Sequence, residues 1–166
     1  AAAGRRGDLV TINPAGILGP LLDEDPGTSA ALVRRLLDGS APALPRVSMA
    51  TVDVRDVAAA HVAAMTDPKA GGKRFPMSER TMFFADAANI LRARFPGHRI
   101  PSRTVPDWVV RLAGLFDSDI RAAAPELGVI KRFDASGAIG LIGRPLIPAP
   151  DAILATAESL VEHKLV

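Results

Sequence analysis

The sequence of 166 residues contains neither cysteine nor tyrosine. Without cysteine, the chain can form no disulfide, no thiolate metal site and no cysteine nucleophile. Without tyrosine, it cannot itself supply the tyrosine general acid or base on which some reactions depend. No apolar stretch approaches the roughly 18 to 20 residues of a membrane-spanning helix, and none follows the opening residues as it would in a signal peptide. We therefore predict a cytoplasmic protein without membrane contacts.

The chain also has little net charge, because 20 basic residues are offset by 18 acidic ones and the formal net charge is only +2. The basic residues are dispersed, whereas a nucleic-acid-binding protein concentrates them on one face. The 48% of hydrophobic residues is enough to form a core. These counts predict a folded protein that does not bind nucleic acid.

The first part of the chain predicts a strand, a loop and a helix. Residues 8–14 contain β-branched and apolar residues and end in a proline, which favours a short buried strand. The Gly-Pro and Pro-Gly pairs within residues 16–27 predict a loop. Thr28 or Ser29 is expected to cap a helix that continues to about Leu37 and stops at Gly39.

A second strand is predicted over residues 47–54, followed by a helix over residues 57–65 that Asp56 would cap. A turn then leads to a short strand at residues 74–77. The rest of the chain is mostly helical in pattern, with helices expected over residues 83–95, after Pro106 and over residues 151–165. Residues 127–150, rich in glycine and proline, are expected to be irregular.

This order of elements indicates an α/β opening and a largely helical second half. A buried parallel strand needs a neighbour on each side, and the sequence supplies few candidates for the strand at residues 8–14. We therefore expect its neighbours to precede residue 1 in a longer protein.

Several segments resemble extended short-chain dehydrogenases, and most closely the branch similar to dihydroflavonol reductases. Residues 9–20 (LVTINPAGILGP) resemble the strand and loop after that family's active-site helix, and residues 52–61 (VDVRDVAAAH) its later strand-to-helix turn. Residues 72–75 resemble the next strand, and residues 133–136 with 152–160 the terminal segment. The similar segments occur in the family's order along nearly the whole chain.

The resemblance implies an incomplete Rossmann-type doubly wound parallel sheet followed by a mostly helical substrate-binding region. We place the remnant of the dinucleotide-binding domain at residues 1–66 and the substrate-binding region at residues 67–166. The family carries a glycine-rich fingerprint and a Tyr-x-x-x-Lys pair, neither of which this chain contains in the required context. We therefore assign no catalytic residue, and we expect the chain alone to lack the activity of its parent protein.

The family's cofactor loop can be carried over to residues 14–17. By resemblance, Pro14, Ala15, Gly16 and Ile17 would line the nicotinamide ring of NAD or NADP, provided that the missing N-terminal half is present. The alternative is that these residues form an ordinary turn at the end of a strand.

Leu21, Leu22 and Met49 are candidate walls of a substrate pocket, although core packing would explain them equally well. The parent protein would transfer hydride between NAD(P) and a small carbonyl or alcohol substrate. Its partners would be the cofactor, the substrate, and either a second copy of the chain or a separate N-terminal chain. Two alternatives stay open: a sugar-nucleotide epimerase or dehydratase, and a non-catalytic module that binds a partner or self-associates through its unpaired strand edge.

Two further patterns have ordinary explanations. Gly137, Gly140 and Gly143 have the spacing of a dinucleotide-binding loop, but that loop requires a helix that opens at the last glycine. Three prolines after Gly143 obstruct such a helix, so we expect a loop without a bound phosphate. The histidines lie far apart in the sequence, which predicts no metal site.

Overall fold

The computed structural model of the protein describes residues 9–166, apart from the side chain of Asp119. The predicted strand at residues 8–14 therefore begins outside the described residues. The strands of the described part are β1 (Thr11–Pro14), β2 (Gly16–Leu18), β3 (Leu44–Pro45), β4 (Ser48–Asp53), β5 (Arg74–Met77), β6 (Arg80–Phe83) and β7 (Thr104–Val105).

The strands form small, separate sheets. β1 and β5 pair in parallel, with Pro14 beside Met77. β4 lies between β2, which runs parallel to it, and β6, which runs antiparallel. β3 and β7 form a short parallel pair. The α/β opening predicted from the sequence is therefore confirmed.

The helices follow the predicted order with two additions, α5 and α6. Among residues 9–166 they are α1 (Gly27–Leu37), α2 (Val54–Thr66), α3 (Phe84–Arg94), α4 (Asp107–Ala113), α5 (Ser118–Ala123), α6 (Ser136–Ile142) and α7 (Ala149–Glu162), with a 3₁₀ turn at Ala124–Glu126. No helix in this part of the chain is both long enough and apolar enough to cross a lipid bilayer.

Both predicted helix caps are wrong. α1 begins directly after Pro26, and neither Thr28 nor Ser29 caps it. The N-cap of α2 is Asp53, whose carboxylate accepts a hydrogen bond from the backbone N–H of Arg55 at 2.8 Å. Asp56 lies instead in the first turn of α2 because the helix begins at the residue that follows β4.

Two segments expected to be irregular are regular in part. Residues 16–18 form β2 because the edge of β4 at Thr51–Asp53 offers backbone partners that local sequence does not reveal. Residues 136–142 form α6, and the prolines that argued against a helix lie after its end. Gly143 terminates α6 with a φ of 71°, a left-handed conformation that suits glycine.

The apolar side chains form two clusters. In the larger one, α1, α3 and α7 pack around side chains from one face of the β2–β4–β6 sheet. In the smaller one, α2 and α6 cover β1 and β5, with Phe75 and Met77 buried. The boundary that we placed between residues 66 and 67 stays a prediction.

The last helix fixes the chain that leaves β2. The backbone N–H of Gly19 donates to Thr156 Oγ1 at 2.7 Å, and the same hydroxyl lies 3.0 Å from the Gly19 carbonyl oxygen. Ser159 Oγ accepts a further bond from the Leu21 N–H at 3.1 Å. Thr156 is fully buried, so its hydroxyl is the protein partner that satisfies a buried amide.

Replacing Thr156 with valine keeps the shape of the side chain but leaves the Gly19 amide without that acceptor. We expect Thr156→Val to lower the free energy of unfolding by about 1 to 3 kcal/mol, the cost of an unsatisfied buried donor. Urea denaturation followed by circular dichroism measures the change. In the matched control Thr66→Val, the lost hydroxyl is exposed and bonds only to carbonyls of its own helix, so stability should change little. Equal losses in the two variants would contradict the assigned role.

Candidate cofactor wall

The cofactor loop, residues 14–17, lies where parallel strand β1 ends. The backbone N–H of Ala15 donates to the Met77 carbonyl oxygen at 2.9 Å, which fixes the loop against the end of β5. Ligands of open α/β sheets bind at the carboxyl ends of the strands. The loop therefore lies at the carboxyl end of β1, which is the end of the sheet at which a dinucleotide would bind.

The chemistry of the loop is apolar throughout. Pro14, Ala15 and Gly16 are half-buried, and the Ile17 side chain is 36% exposed. No charged side chain belongs to the loop. Such a surface fits the flat face of a nicotinamide ring, whereas it offers no side chain that could hold a phosphate or a ribose hydroxyl.

Gly16 allows β2 to approach β4 closely. A Cβ atom at this position would lie 2.9 Å from the Ala50 carbonyl oxygen, which is closer than real Cβ contacts. The glycine is therefore required by packing between strands, independently of any ligand.

The structure separates the predicted substrate walls from the cofactor loop. Ile17 pairs with Val52, so it faces the side of the sheet opposite Met49. Met49 and Leu21 pack against the larger apolar cluster, as the core-packing alternative expected. The Leu22 side chain is 98% exposed. As substrate-binding residues, all three stay predictions.

A different set of residues shares the face of Ile17. The strand register places Ser48, Ala50, Thr81 and Phe83 on this face. Sequence reasoning missed them because β6 was not predicted. The alternation of Arg80, Thr81, Met82 and Phe83 was the available signal.

Residues 127–131 cross this face and are held by side-chain hydroxyls. Ser48 Oγ donates to the Val129 carbonyl oxygen at 2.6 Å, and Thr81 Oγ1 donates to the Lys131 carbonyl oxygen at 2.6 Å. The crossing segment thus covers part of the sheet between Ile17 and Phe83.

The buried carboxylates near the loop are engaged in structural contacts. Asp53 accepts from the Arg55 guanidinium at 2.8 and 2.7 Å. Asp56 accepts from the Ile147 N–H at 2.6 Å and lies 2.6 Å from Nη1 of Arg144. Both side chains are fully buried, so these contacts satisfy charges that would otherwise be costly.

The remaining motifs have structural positions. Gly137 and Gly140 lie inside α6, which ends rather than begins at Gly143, so the glycines lack the geometry of a phosphate loop. The expectation that they form a loop is wrong. The ring Nδ1 of His61 lies 2.8 Å from the Val57 carbonyl oxygen. Within residues 9–166, no group of three or more histidine, aspartate or glutamate residues could hold a metal ion.

Comparisons with known proteins identify relatives of part of the chain. None of the protein-family models matches it. A cinnamoyl-CoA reductase, CAD2 of Medicago truncatula, is 39% identical over 100 residues, which are 60% of this chain and 30% of the relative. The chain spans less than a third of the length of the curated relatives it matches.

Solved structures share the fold over nearly the whole chain. Yeast Gre2, a methylglyoxal/isovaleraldehyde reductase complexed with NADPH, has a TM-score of 0.67 at 22% identity, over 94% of this chain and 44% of Gre2. Vestitone reductase from alfalfa has a TM-score of 0.70 at 16% identity, over 96% of this chain and 46% of its own. The resemblance to extended short-chain dehydrogenases is confirmed. So is the fold class, a partial Rossmann-type sheet followed by a mostly helical region.

The close approach at Gly16 can be tested by adding one methyl group. We expect Gly16→Ala to lower the free energy of unfolding by about 1 to 3 kcal/mol, because β2 must move away from the Ala50 carbonyl. The matched control is Gly140→Ala in α6, where a Cβ would meet no atom within 4 Å. It should raise stability by about 0.5 to 1 kcal/mol, since alanine favours a helix. Urea midpoints of the two variants should move in opposite directions, and a stable Gly16→Ala variant would refute the packing role.

Proposed function

We propose that this chain is the C-terminal, substrate-side part of an NAD(P)-dependent oxidoreductase similar to dihydroflavonol reductases. The parent protein transfers hydride between the cofactor and a small carbonyl or alcohol substrate. In this proposal residues 14–17 form the wall of the nicotinamide site, and the chain lies in the cytoplasm. NAD(P) supplies the hydride chemistry, and the chain holds the ring and shields it from water.

The observation that carries the proposal is the apolar cofactor loop at the carboxyl end of a parallel strand. Its backbone is fixed on both sides, by the bond from Ala15 to Met77 and by the pairing of Gly16 with Thr51. A rigid apolar wall can pack against the flat face of a nicotinamide ring, which is uncharged in the reduced cofactor. The relatives that are named as reductases, and Gre2 as an NADPH complex, support the same assignment.

The exposed apolar surface beside β1 supports a parent protein with further elements. β1 has one strand neighbour, β5, among the described residues. On α2, Val62 and Met65 are 64% and 86% exposed, and Leu9 ahead of β1 is 66% exposed. A parallel strand is ordinarily covered on both faces and paired on both edges. The missing strands and helices of a Rossmann-type domain would cover this surface.

The absence of tyrosine assigns the proton chemistry to the rest of the parent protein. Extended short-chain dehydrogenases use a tyrosine as general acid or base, and this chain has none. Asp53 and Asp56, its fully buried carboxylates within residues 9–166, are both bound by arginine. The chain's own contribution is therefore to orient the cofactor and the substrate.

A sugar-nucleotide epimerase or dehydratase could use the same wall, because fold resemblance does not distinguish substrates. The free edge of β1 also favours a second role, in which the chain self-associates or binds a partner through that edge. This second role requires an assembly that forms only when the β1 edge is intact. Sedimentation of the purified chain measures whether such an assembly exists.

An activity assay on the purified chain tests whether the chain alone can use NADPH. We expect it to consume no NADPH with any carbonyl substrate, because it lacks a tyrosine donor and a phosphate-binding loop. The NADPH absorbance band provides the measurement. The polypeptide encoded ahead of residue 1, when added, should restore NADPH binding. Turnover by the purified chain alone would overturn the proposal.

In the complete protein, Ile17→Asp should weaken NADPH binding by about tenfold, because a carboxylate would replace the apolar contact with the ring. Fluorescence titration of NADPH measures the dissociation constant. Val161→Asp is a matched control, since Val161 is 39% exposed against 36% for Ile17 and lies on α7. If both variants bind NADPH like the parent, residues 14–17 are an ordinary turn.

A further inference from the structure

A cleft of about 580 Å³ lies at the end of β6, away from the cofactor loop. Its volume is within the range of small-molecule sites, roughly 300 to 1,000 Å³. Its walls come from β3, β6, β7 and the starts of α3 and α4, and they include Pro45, Phe83, Val105, Pro106 and Trp108.

Two prolines and two aromatic residues line the cleft. The β3–β7 pair places Pro45 beside Val105, and Pro106 follows directly as the N-cap of α4. Phe83 is half-buried at the end of β6, whereas the Trp108 side chain is 67% exposed. A tryptophan so exposed, which lines the same cleft as a phenylalanine, offers a ring face to a ligand rather than to the core.

The charged groups of the cleft are compensated within the protein. Arg46 Nε and Nη2 donate to the two carboxylate oxygens of Asp107 at 3.3 and 2.5 Å. The hydrogen bonds from Arg46 hold the pKa of Asp107 below its ordinary value, and the same bonds raise the pKa of Arg46. The pair therefore stays ionised at neutral pH and presents no net charge to a ligand.

The other acidic side chain of the cleft, Asp86, serves the start of α3. Its Oδ2 accepts from the backbone N–H of Phe83 at 3.1 Å. A carboxylate in the first turn is also favoured by the positive end of the helix dipole. Arg46 and Asp107 thus neutralise each other, so the cleft has no free cation that would select an anion, and the negative charge of Asp86 is bound to the start of α3.

We propose that this cleft is a ligand site for a flat, uncharged aromatic ring, held between Phe83 and Trp108. It is separate from the cofactor loop: Ile17 pairs with Val52 and Phe83 pairs with Ser48, so the two sites lie four residues apart along β4. That spacing corresponds to roughly 13 Å along the strand. The inference does not depend on the proposed oxidoreductase function.

The chain carries its own reporter for this site. Trp108 is the single tryptophan and there is no tyrosine, so emission excited at the red edge of the tryptophan band comes from the cleft alone. Benzyl alcohol, benzoate, benzylammonium and cyclohexylmethanol form a matched set of probes. They differ in charge or in aromaticity but little in size, and none absorbs at that edge.

We expect benzyl alcohol to change Trp108 emission saturably, with a dissociation constant in the millimolar range that suits so small a ligand. The two charged probes should bind several-fold more weakly because of their desolvation. Benzoate finds no free cation in the cleft, and benzylammonium finds only Asp86, whose carboxylate is already bound to the start of α3. Cyclohexylmethanol should also bind more weakly, since it lacks a ring face for stacking. Equal binding of all four probes, or no saturable response to any, would overturn the proposal.

A charge variant predicts a gain of binding. In Asp107→Asn the guanidinium of Arg46 loses its carboxylate partner, so benzoate should bind about fivefold more tightly than to the unaltered chain. Benzylammonium should not gain affinity. Unchanged benzoate binding in a folded Asp107→Asn variant would refute the charge argument.

Two further variants separate ring recognition from folding. Phe83→Leu keeps an apolar wall but removes the ring, so the preference for benzyl alcohol over cyclohexylmethanol should disappear. Leu32→Ser alters a neighbouring cleft of about 290 Å³ and should leave the binding of all probes unchanged. An unaltered preference in Phe83→Leu, or its loss in Leu32→Ser, would place the ligand elsewhere.

Discussion

One backbone crossing at Ala15 connects the two main sheets and fixes the geometry of the cofactor loop. β1 belongs to the pair with β5, and β2 to the sheet with β4, with only Ala15 between them. The Ala15 N–H donates to the Met77 carbonyl oxygen at 2.9 Å, and the Glu79 N–H donates to the Thr51 carbonyl oxygen at 2.8 Å. The chain therefore passes from one sheet to the other twice, first at Ala15 between β1 and β2 and again at residues 78–79 between β5 and β6. The two crossings lie side by side. A shift at either crossing would disturb the register of both sheets.

The same crossing explains why the far end of the chain matters to the loop. β2 is only three residues long, which is too short to hold its position by strand pairing alone. Thr156 and Ser159 on α7 bind the backbone that leaves β2, and Gly16 lets β2 lie close to β4. The wall is thus placed by contacts between residues more than 130 positions apart. Rigid placement of this kind favours ligand binding because little order is lost when the ligand arrives.

Local patterns were sufficient for the elements that have their own periodicity or punctuation. β1, β4, α2 and α7 could be predicted from apolar runs, turn residues and helical spacing, whereas the cofactor role of residues 14–17 stays a prediction from the family resemblance. β2 and β6 could not, because short strands form only where a neighbour offers free backbone groups. The N-cap of α2 could not be predicted for a similar reason, because Asp53 and Asp56 are both suitable capping residues. Either could begin a helix, and the choice depends on where β4 stops pairing. The face of the sheet that Met49 occupies likewise depends on a register that the sequence does not state.

The two fully buried aspartates of residues 9–166 are engaged in structural contacts. A general acid or base must have a proton to exchange near the substrate, with a pKa suited to that task. Asp53 has the Arg55 guanidinium and the start of α2 as partners, and Asp56 has Arg144 and the Ile147 amide. Each carboxylate therefore stabilises a connection, the first between β4 and α2 and the second between α2 and the segment before α7. The proposed cofactor wall therefore depends on the apolar loop at residues 14–17 and not on these carboxylates.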